Sequence, residues 1–369
     1  MKYGKRFCAF ALVVLLALCL SVAASADSAT LDLRGITPAD VPEAVGKLKA
    51  APSTKSILLG DEESCSLSWD DIYALHEARP EAVIDYGFDL YGESVNLSDT
   101  ALDLKYVPIK DEGAHVREVI RCMPALKLLE MDHTGVSDEA MAALRDDFPE
   151  VEVVWWVTFG ERYGERSNTE MILASCPDLA GELIDENTVN LKYFTKVKYL
   201  DLGHNNLMST IDFVRYMPDL EVAILAMINI DDFSVLAECP KLEYLELFTT
   251  RLHDLTPFSK LENLRHLNIC YNFAIRDISP LYGLTKLERL WIGKHCPVSP
   301  EQIEEMQRRA PNCVINVTTP DPTEEGWRLN GADAEGWPKY DDRYALLRKQ
   351  FDDYTEDSYS IDPKYAFGW

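Results

Sequence analysis

The chain has 369 residues, with 62 acidic against 36 basic side chains and a formal net charge of −26. A surplus of that sign repels phosphate backbones and anionic lipid surfaces, so nucleic acid is not an expected partner, while basic proteins and uncharged ligands stay open. Nine cysteines without a C-x-x-C pair argue against a zinc ribbon or a thioredoxin-like site, and they are too scattered for a compact disulfide scaffold.

Residues 1–26 read as a signal segment. Lys2, Lys5 and Arg6 give a positive start, Phe10 to Val22 is apolar, and Ala24-Ser25-Ala26 is a small-x-small cleavage site. The apolar run is short for a transmembrane helix, and no stop-transfer pattern follows it. Leu18 is too large to precede a lipid-bearing Cys19. Cleavage after Ala26 removes three cations and no acid, which takes the net charge from −26 to −29. Cys65, Cys122, Cys176, Cys239, Cys270, Cys296 and Cys313 remain. Their number is odd, so at least one thiol is unpaired, and small buried hydrophobes is the expected role for most. The mature chain is expected outside the cytoplasm, secreted or held in the cell envelope, without membrane insertion.

Residues 27–196 carry strand starts at Leu31-Asp-Leu33, Ile57-Leu-Leu59, Leu102-Asp-Leu104 and Leu129-Glu-Met131. Helical connectors are expected at Pro38–Leu48, Ser68–Ala78, Glu112–Cys122 and Ser137–Phe148. Ser68 and Ser137 are N-cap residues followed by acids, and Pro80, Pro124 and Pro149 mark returns to strand. From Pro80 to Gly92 two registers compete. Counting from the proline turns Asp85 inward; simple alternation turns Ile84, Tyr86 and Phe88 inward. Alternation is preferred, because an unpaired buried carboxylate costs several kcal/mol. The segments after Pro80 and Pro149 resemble each other, and each precedes a polar stretch and a new strand. This points to a duplicated two-strand unit.

Residues 197–318 hold the strongest pattern. Val197-Lys-Tyr-Leu200-Asp-Leu202-Gly-His-Asn205-Asn-Leu207 fits L-x-x-L-x-L-x-x-N-x-L, with valine first. Its fourth position recurs at 200, 223, 245, 267 and 290, in steps of 23, 22, 22 and 23. Between the strands, Ile230-Asp-Asp232-Phe-Ser-Val-Leu236, Leu252-His-Asp254-Leu-Thr-Pro-Phe258 and Ile275-Arg-Asp277-Ile-Ser-Pro-Leu281 share one template. No single repeat can bury its own apolar face, so neighbours must stack and share a core. The repeats resemble the internalin-like branch of the leucine-rich repeats over residues 197–300. The earlier part resembles the longer, ribonuclease-inhibitor-like branch more loosely. The resemblance implies an α/β leucine-rich repeat solenoid: a curved horseshoe with a parallel strand ladder on its concave face and mixed helical and irregular segments opposite. Ser299–Ala310 reads as a closing helix and Cys313–Thr318 as a closing strand.

Residues 319–369 change in composition after Thr319-Pro-Asp-Pro-Thr. Trp327, Trp337, Tyr340, Tyr344, Phe351, Tyr354, Tyr365 and Trp369 make this segment aromatic. Asp341 to Tyr354 reads as a helix with Tyr344, Leu347, Phe351 and Tyr354 on one face. The segment resembles the C-terminal stretches of secreted leucine-rich repeat proteins from anaerobic Gram-positive bacteria. It either folds back as a cap or serves as a separate attachment or partner-binding tail.

No catalytic signature is present: no H-E-x-x-H, G-x-S-x-G, Walker loop or G-x-G-x-x-G. No histidine pair has metal-ligand spacing, and no acidic cluster has the spacing of a calcium loop. The reading is a non-catalytic protein without cofactor or metal. Its candidate contact residues are the outward positions of the strand ladder: Tyr199, Tyr244, Glu246, Phe248, His266, Tyr271 and Trp291. Tyrosine and tryptophan are favoured anchors because they bury much area with few rotatable bonds. The alternative is that these rings stack along the ladder or lie under the C-terminal segment. The resemblance implies recognition of a protein ligand outside the cell. A glycan stacked on Tyr244, Tyr271 and Trp291, or a structural or inhibitory role in the envelope, are the other readings.

Overall fold

The computed structural model describes residues 29–176, 183–351 and Ser360. The signal segment, and the aromatic residues Tyr354, Tyr365 and Trp369, lie outside the described residues. The chain divides into two compact units, one ending at Val154 and one beginning at Trp155. This division falls ahead of the change in repeat length at 196/197.

The first unit is built from strand–helix repeats. β1 (Thr30–Asp32), β2 (Ser56–Asp61) and β3 (Val83–Leu90) pair in parallel, and β4 (Glu93–Asn96) turns back antiparallel on β3. β5 (Ala101–Asp103), β6 (Leu128–Glu130) and β7 (Glu152–Val154) form a second parallel ladder. The connectors are helices α1 (Val41–Ala50), α2 (Trp69–Ala78), α3 (Ala114–Ile120) and α4 (Asp138–Asp147). Ser68 and Ser137 are N-caps as expected, with side chains accepting from the backbone N–H of Asp71 and Ala140. Alternation decides β3: Ile84, Tyr86, Phe88 and Leu90 are buried, while Asp85 is exposed. Trp69 packs edge-on against Phe88, with ring centroids 5.0 Å apart.

The second unit opens with a hairpin, β8 (Trp156–Phe159) against β9 (Tyr163–Arg166). It corresponds to the β3–β4 hairpin: each is followed by a backbone bond back to the first strand region, Leu97 to Tyr86 O and Ser167 to Trp155 O. The duplicated two-strand unit is therefore real. Seven parallel strands follow: β10 (Met171–Leu173), β11 (Tyr199–Asp201), β12 (Val222–Ile224), β13 (Tyr244–Glu246), β14 (His266–Asn268), β15 (Arg289–Trp291) and β16 (Val314–Asn316).

Their register is uniform. Leu200, Ala223, Leu245, Leu267 and Leu290 are direct neighbours in one row and are all fully buried. Tyr199, Val222, Tyr244, His266 and Arg289 form the row before it; Asp201, Ile224, Glu246, Asn268 and Trp291 form the row after it. Side chains alternate along a strand, so these two outer rows share the opposite face from the leucines.

The connectors here are single 3-10 turns, Ser234–Glu238, Thr256–Lys260 and Ser279–Gly283 among them. The recurring aspartate explains their start. Asp232, Asp254 and Asp277 each accept from the backbone N–H two residues on, at 2.8 Å, which closes an Asx turn. After the strands the backbone enters the left-handed region at His204, Met227, Thr249 and Tyr271, and at Gly293 in the fifth repeat. The next position holds a buried asparagine in two repeats. Asn205 Nδ2 donates to Ala174 O at 2.7 Å and Leu202 O at 2.9 Å; Asn272 Nδ2 donates to Leu247 O and Ile269 O at 2.8 and 2.9 Å. Each thus ties its own turn to the preceding repeat. α5 (Pro300–Arg309), capped by Ser299, and β16 close the ladder as expected.

Replacing Asn205 by alanine should leave buried carbonyls of two repeats unsatisfied and lower the unfolding free energy by about 1–3 kcal/mol. Replacing exposed Asn206 should change it by less than about 0.5 kcal/mol. Chemical denaturation of the two variants checks this.

Candidate functional site

A strand triplet in this fold presents two residues on the face opposite the core. In β5 those residues, Ala101 and Asp103, are exposed. In β12, β13 and β14 all three residues of each strand are buried. Something therefore covers the outer rows of the seven-stranded ladder, and it is the C-terminal segment of the same unit.

After β16 the chain turns at Thr319 and crosses back over the ladder. β17 (Leu329–Ala332) and β18 (Pro338–Tyr340) make a small antiparallel hairpin, and α6 (Asp342–Gln350) follows, with Asp341 as its N-cap. The contacts move steadily from the late strands to the early ones. The Tyr271 hydroxyl donates to Pro320 O, and Asn268 Nδ2 donates to Pro322 O at 2.8 Å. Trp327 sits against Trp291 and Tyr244, with ring centroids 5.5 and 5.3 Å away. Phe351 meets Tyr199 edge-on at 5.6 Å. Ser360 N donates to Leu173 O at 2.8 Å, and the Ser360 hydroxyl accepts from Leu173 N at 3.0 Å. The segment spans the ladder from β16 to β10.

Its centre is a buried ion pair. Glu246 is fully buried, and its carboxylate accepts from the Tyr244 hydroxyl, from Trp327 Nε1 at 2.8 Å, and from Arg328 through Nε at 2.8 Å and through Nη2. The Arg328 guanidinium lies over the Phe248 and Tyr344 rings, 5.8 and 5.2 Å from their centroids. Burial alone would lower the Arg328 pKa; the Glu246 charge overrides this and holds it well above the ordinary value. Tyr244 is held neutral, first by burial and then by Glu246.

A second set of cations surrounds this pair. Arg289, on β15, donates to Gly326 O and reaches Asp341 Oδ2 at 3.2 Å. Arg343, on α6, donates to Trp327 O at 2.7 Å. Burial and the nearby Arg289 charge bring Arg343 down to about 10. His266 is buried beside Arg343, Arg265 and Arg289 and is held neutral, at about 3, by burial first and then by those charges. Its Nε2 is 3.8 Å from Glu288. A cleft of about 350 Å³ opens here between α6 and the β12–β15 edge, lined by Glu221, Glu243, Arg265, His266, Glu288 and Arg343.

Each candidate contact residue is placed on the predicted face, but the patch is not open to solvent. Tyr244, Glu246, Phe248, His266 and Trp291 are buried under the C-terminal segment; Tyr199 and Tyr271 are half-buried at its borders. The expected helix face is present, with Tyr344 and Phe351 buried and Leu347 half-buried. The sequence reading missed Arg328 and Arg343, and it missed the pairing of Trp327 with Glu246. A signal was present: Val222, Ile224 and Ala226 are apolar at outward positions where a solvated face would be polar, and all three are buried. All seven described cysteines are free thiols, six of them buried. Among the described residues no cluster of histidine, cysteine and carboxylate side chains is arranged to hold a metal ion, and no helix is long and apolar enough to cross a membrane.

Units of 22–23 residues, stacked through in-register parallel strands and tied by buried asparagines, define a leucine-rich repeat protein. The sequence template of its short repeats resembles the internalin-like branch. No described protein family matches the chain, and no curated protein matches it. Solved structures similar to it include an internalin, InlF, from Listeria monocytogenes, at 18% identity and a TM-score of 0.37, covering 74% of this chain and 64% of that one. This chain therefore spans less than two thirds of that protein's length. Internalin C2 from the same bacterium is similar at 16% identity and a TM-score of 0.36, covering 76% of this chain and 97% of that one. A leucine-rich repeat protein of Leptospira interrogans is similar at 16% identity and a TM-score of 0.33, over 73% and 74% of the two chains.

Arg328→Ala leaves the Glu246 charge buried without its partner and should cost about 3–5 kcal/mol in denaturant unfolding. The double variant Glu246→Gln with Arg328→Met removes both charges and should recover most of that loss. A second expectation concerns acid. His266 takes up a proton near its ordinary value of 6.5 when unfolded but only near 3 when folded. Stability should therefore fall as pH drops from about 6.5 toward 3, by up to about 1.4 kcal/mol per pH unit. In His266→Gln the slope of unfolding free energy against pH should be shallower by that amount over the same window.

Proposed function

We propose that this protein is a non-catalytic recognition scaffold acting outside the cytoplasm, and that it binds a protein ligand through the strand face of its second unit. The contact residues are Tyr199, Tyr244, Glu246, Phe248, His266, Tyr271 and Trp291. The observation that carries the reading is the covering of this face: successive strands engage a polypeptide segment, partly turned and partly helical, through aromatic slots and one charged anchor. A face built only to meet solvent has no reason to place Val222, Ile224, Tyr244 and Trp291 in adjacent rows. The N-terminal signal segment supports export. A glycan reading needs the ring faces of Tyr244 and Trp291, and Trp327 packs against both of them.

The C-terminal segment occupies the proposed face, so ligand capture should increase when it is loosened. The test compares three full-length chains on beads with envelope and host-surface extracts: the unaltered chain, Trp327→Ala/Arg328→Glu, and that variant carrying also Tyr244→Ala, Tyr271→Ala and Trp291→Ala. The expected result is a protein captured best by the loosened chain and lost from the fivefold variant, with circular dichroism showing all three folded. Equal capture by all three would place the binding site elsewhere on the molecule.

A further inference from the structure

The covering segment shows what kind of ligand the face accepts. Trp327 lies between two rings and spends its indole N–H on Glu246. The next residue, Arg328, gives two parallel N–H donors to the same carboxylate. A flat guanidinium fits this geometry, whereas an ammonium supplies only a point charge. The residue before them is Gly326, whose φ of +84° suits glycine, and its carbonyl accepts from Arg289 of the ladder. The built-in occupant is also an imperfect fit. His266 Nδ1 and Trp291 Nε1, both buried on the ladder face, have no hydrogen-bond partner among the described residues. A buried polar atom left unpaired favours an occupant that can pair it.

Resting on the scaffold reading above, we propose that the strand face is specific for a peptide turn presenting an aromatic residue directly followed by arginine, and that Gly326-Trp327-Arg328, held in a turn by bonds from Trp327 N to Glu324 O and from Arg328 N to Thr323 O, is an internal copy of this ligand that the true partner displaces. Glu246 selects the arginine, Tyr244 and Trp291 form the aromatic slot, and Arg289 holds the peptide backbone irrespective of sequence. The acidic chain attracts a cationic segment at long range, while Arg265, Arg289 and Arg343 oppose it at the face, so the Glu246 carboxylate must supply the local attraction.

The test uses the full chain carrying Trp327→Ala and Arg328→Ala and a fluorescent peptide of residues 323–329, Thr-Glu-Glu-Gly-Trp-Arg-Leu, which keeps the turn bonds, titrated by anisotropy. The variant should bind the peptide at least about tenfold more tightly than the unaltered chain, whose face is already filled. A peptide with glutamate in place of arginine should bind at least about tenfold more weakly. Adding Glu246→Gln to the variant should erase the preference for arginine over glutamine in the peptide. Circular dichroism and a melt establish folding, and Arg328→Ala alone serves if the double variant does not fold. A folded variant that ignores the peptide, or binds the arginine and glutamate peptides alike, overturns the proposal and makes the segment a permanent cover. If that variant still captures a protein from extracts, the scaffold reading stands while the aromatic–arginine specificity falls.

Discussion

Every feature of the second unit depends on one constraint: a 22-residue repeat cannot hide its own leucines from water. Stacking is the solution, and stacking through parallel strands fixes the register, because a slip of one residue would turn the leucine row to the wrong face. Leu200, Ala223, Leu245, Leu267 and Leu290 therefore stand in line. Once they do, the flanking rows are fixed as well, and Tyr244 and Glu246 must share a face with Trp291. The asparagine bonds and the Asx turns set the bends between strands; they do not choose the register.

The same face shows how aromatic area and charge act together. The aromatic rings exclude water from Glu246, which makes its carboxylate unfavourable alone and strongly favourable when forked by arginine. This asymmetry makes the contact selective more than it makes it stable. Replacing such a pair by apolar groups is often neutral, whereas removing one partner alone is costly. Neutral Tyr244 and neutral His266 fit the same logic, because burial keeps both from adding charges that would compete for Arg328 or repel Arg343.

Much of this was legible in the sequence. The repeat spacing gave the rows residue by residue, and the serine caps and proline stops gave the helices of the first unit. Alternation correctly kept Asp85 out of the core. What one strand's pattern cannot reveal is a cover supplied from 80 residues away. Tyr244 reads as an exposed anchor when only its own repeat is considered, and the Glu246–Arg328 pair joins positions 82 apart in the chain. The aromatic content of the C-terminal segment was visible, and so was the amphipathic face of Tyr344, Leu347 and Phe351. Their destination was not, because a helix face names its need for a partner but not which surface supplies it.

The segment's path also changes how the unit behaves as a chain of repeats. A bare solenoid is held by nearest-neighbour contacts, so it can form from any point and fray from either end. Here Ser360 is bonded to Leu173, 187 positions earlier, so a residue beyond the last strand is tied to the first strand of the ladder. The ladder's ends are coupled, and fraying at one end is felt at the other. Such distant contacts also form late. On the ribosome, in each new molecule, the residues of the strand face thus emerge before the segment that covers them.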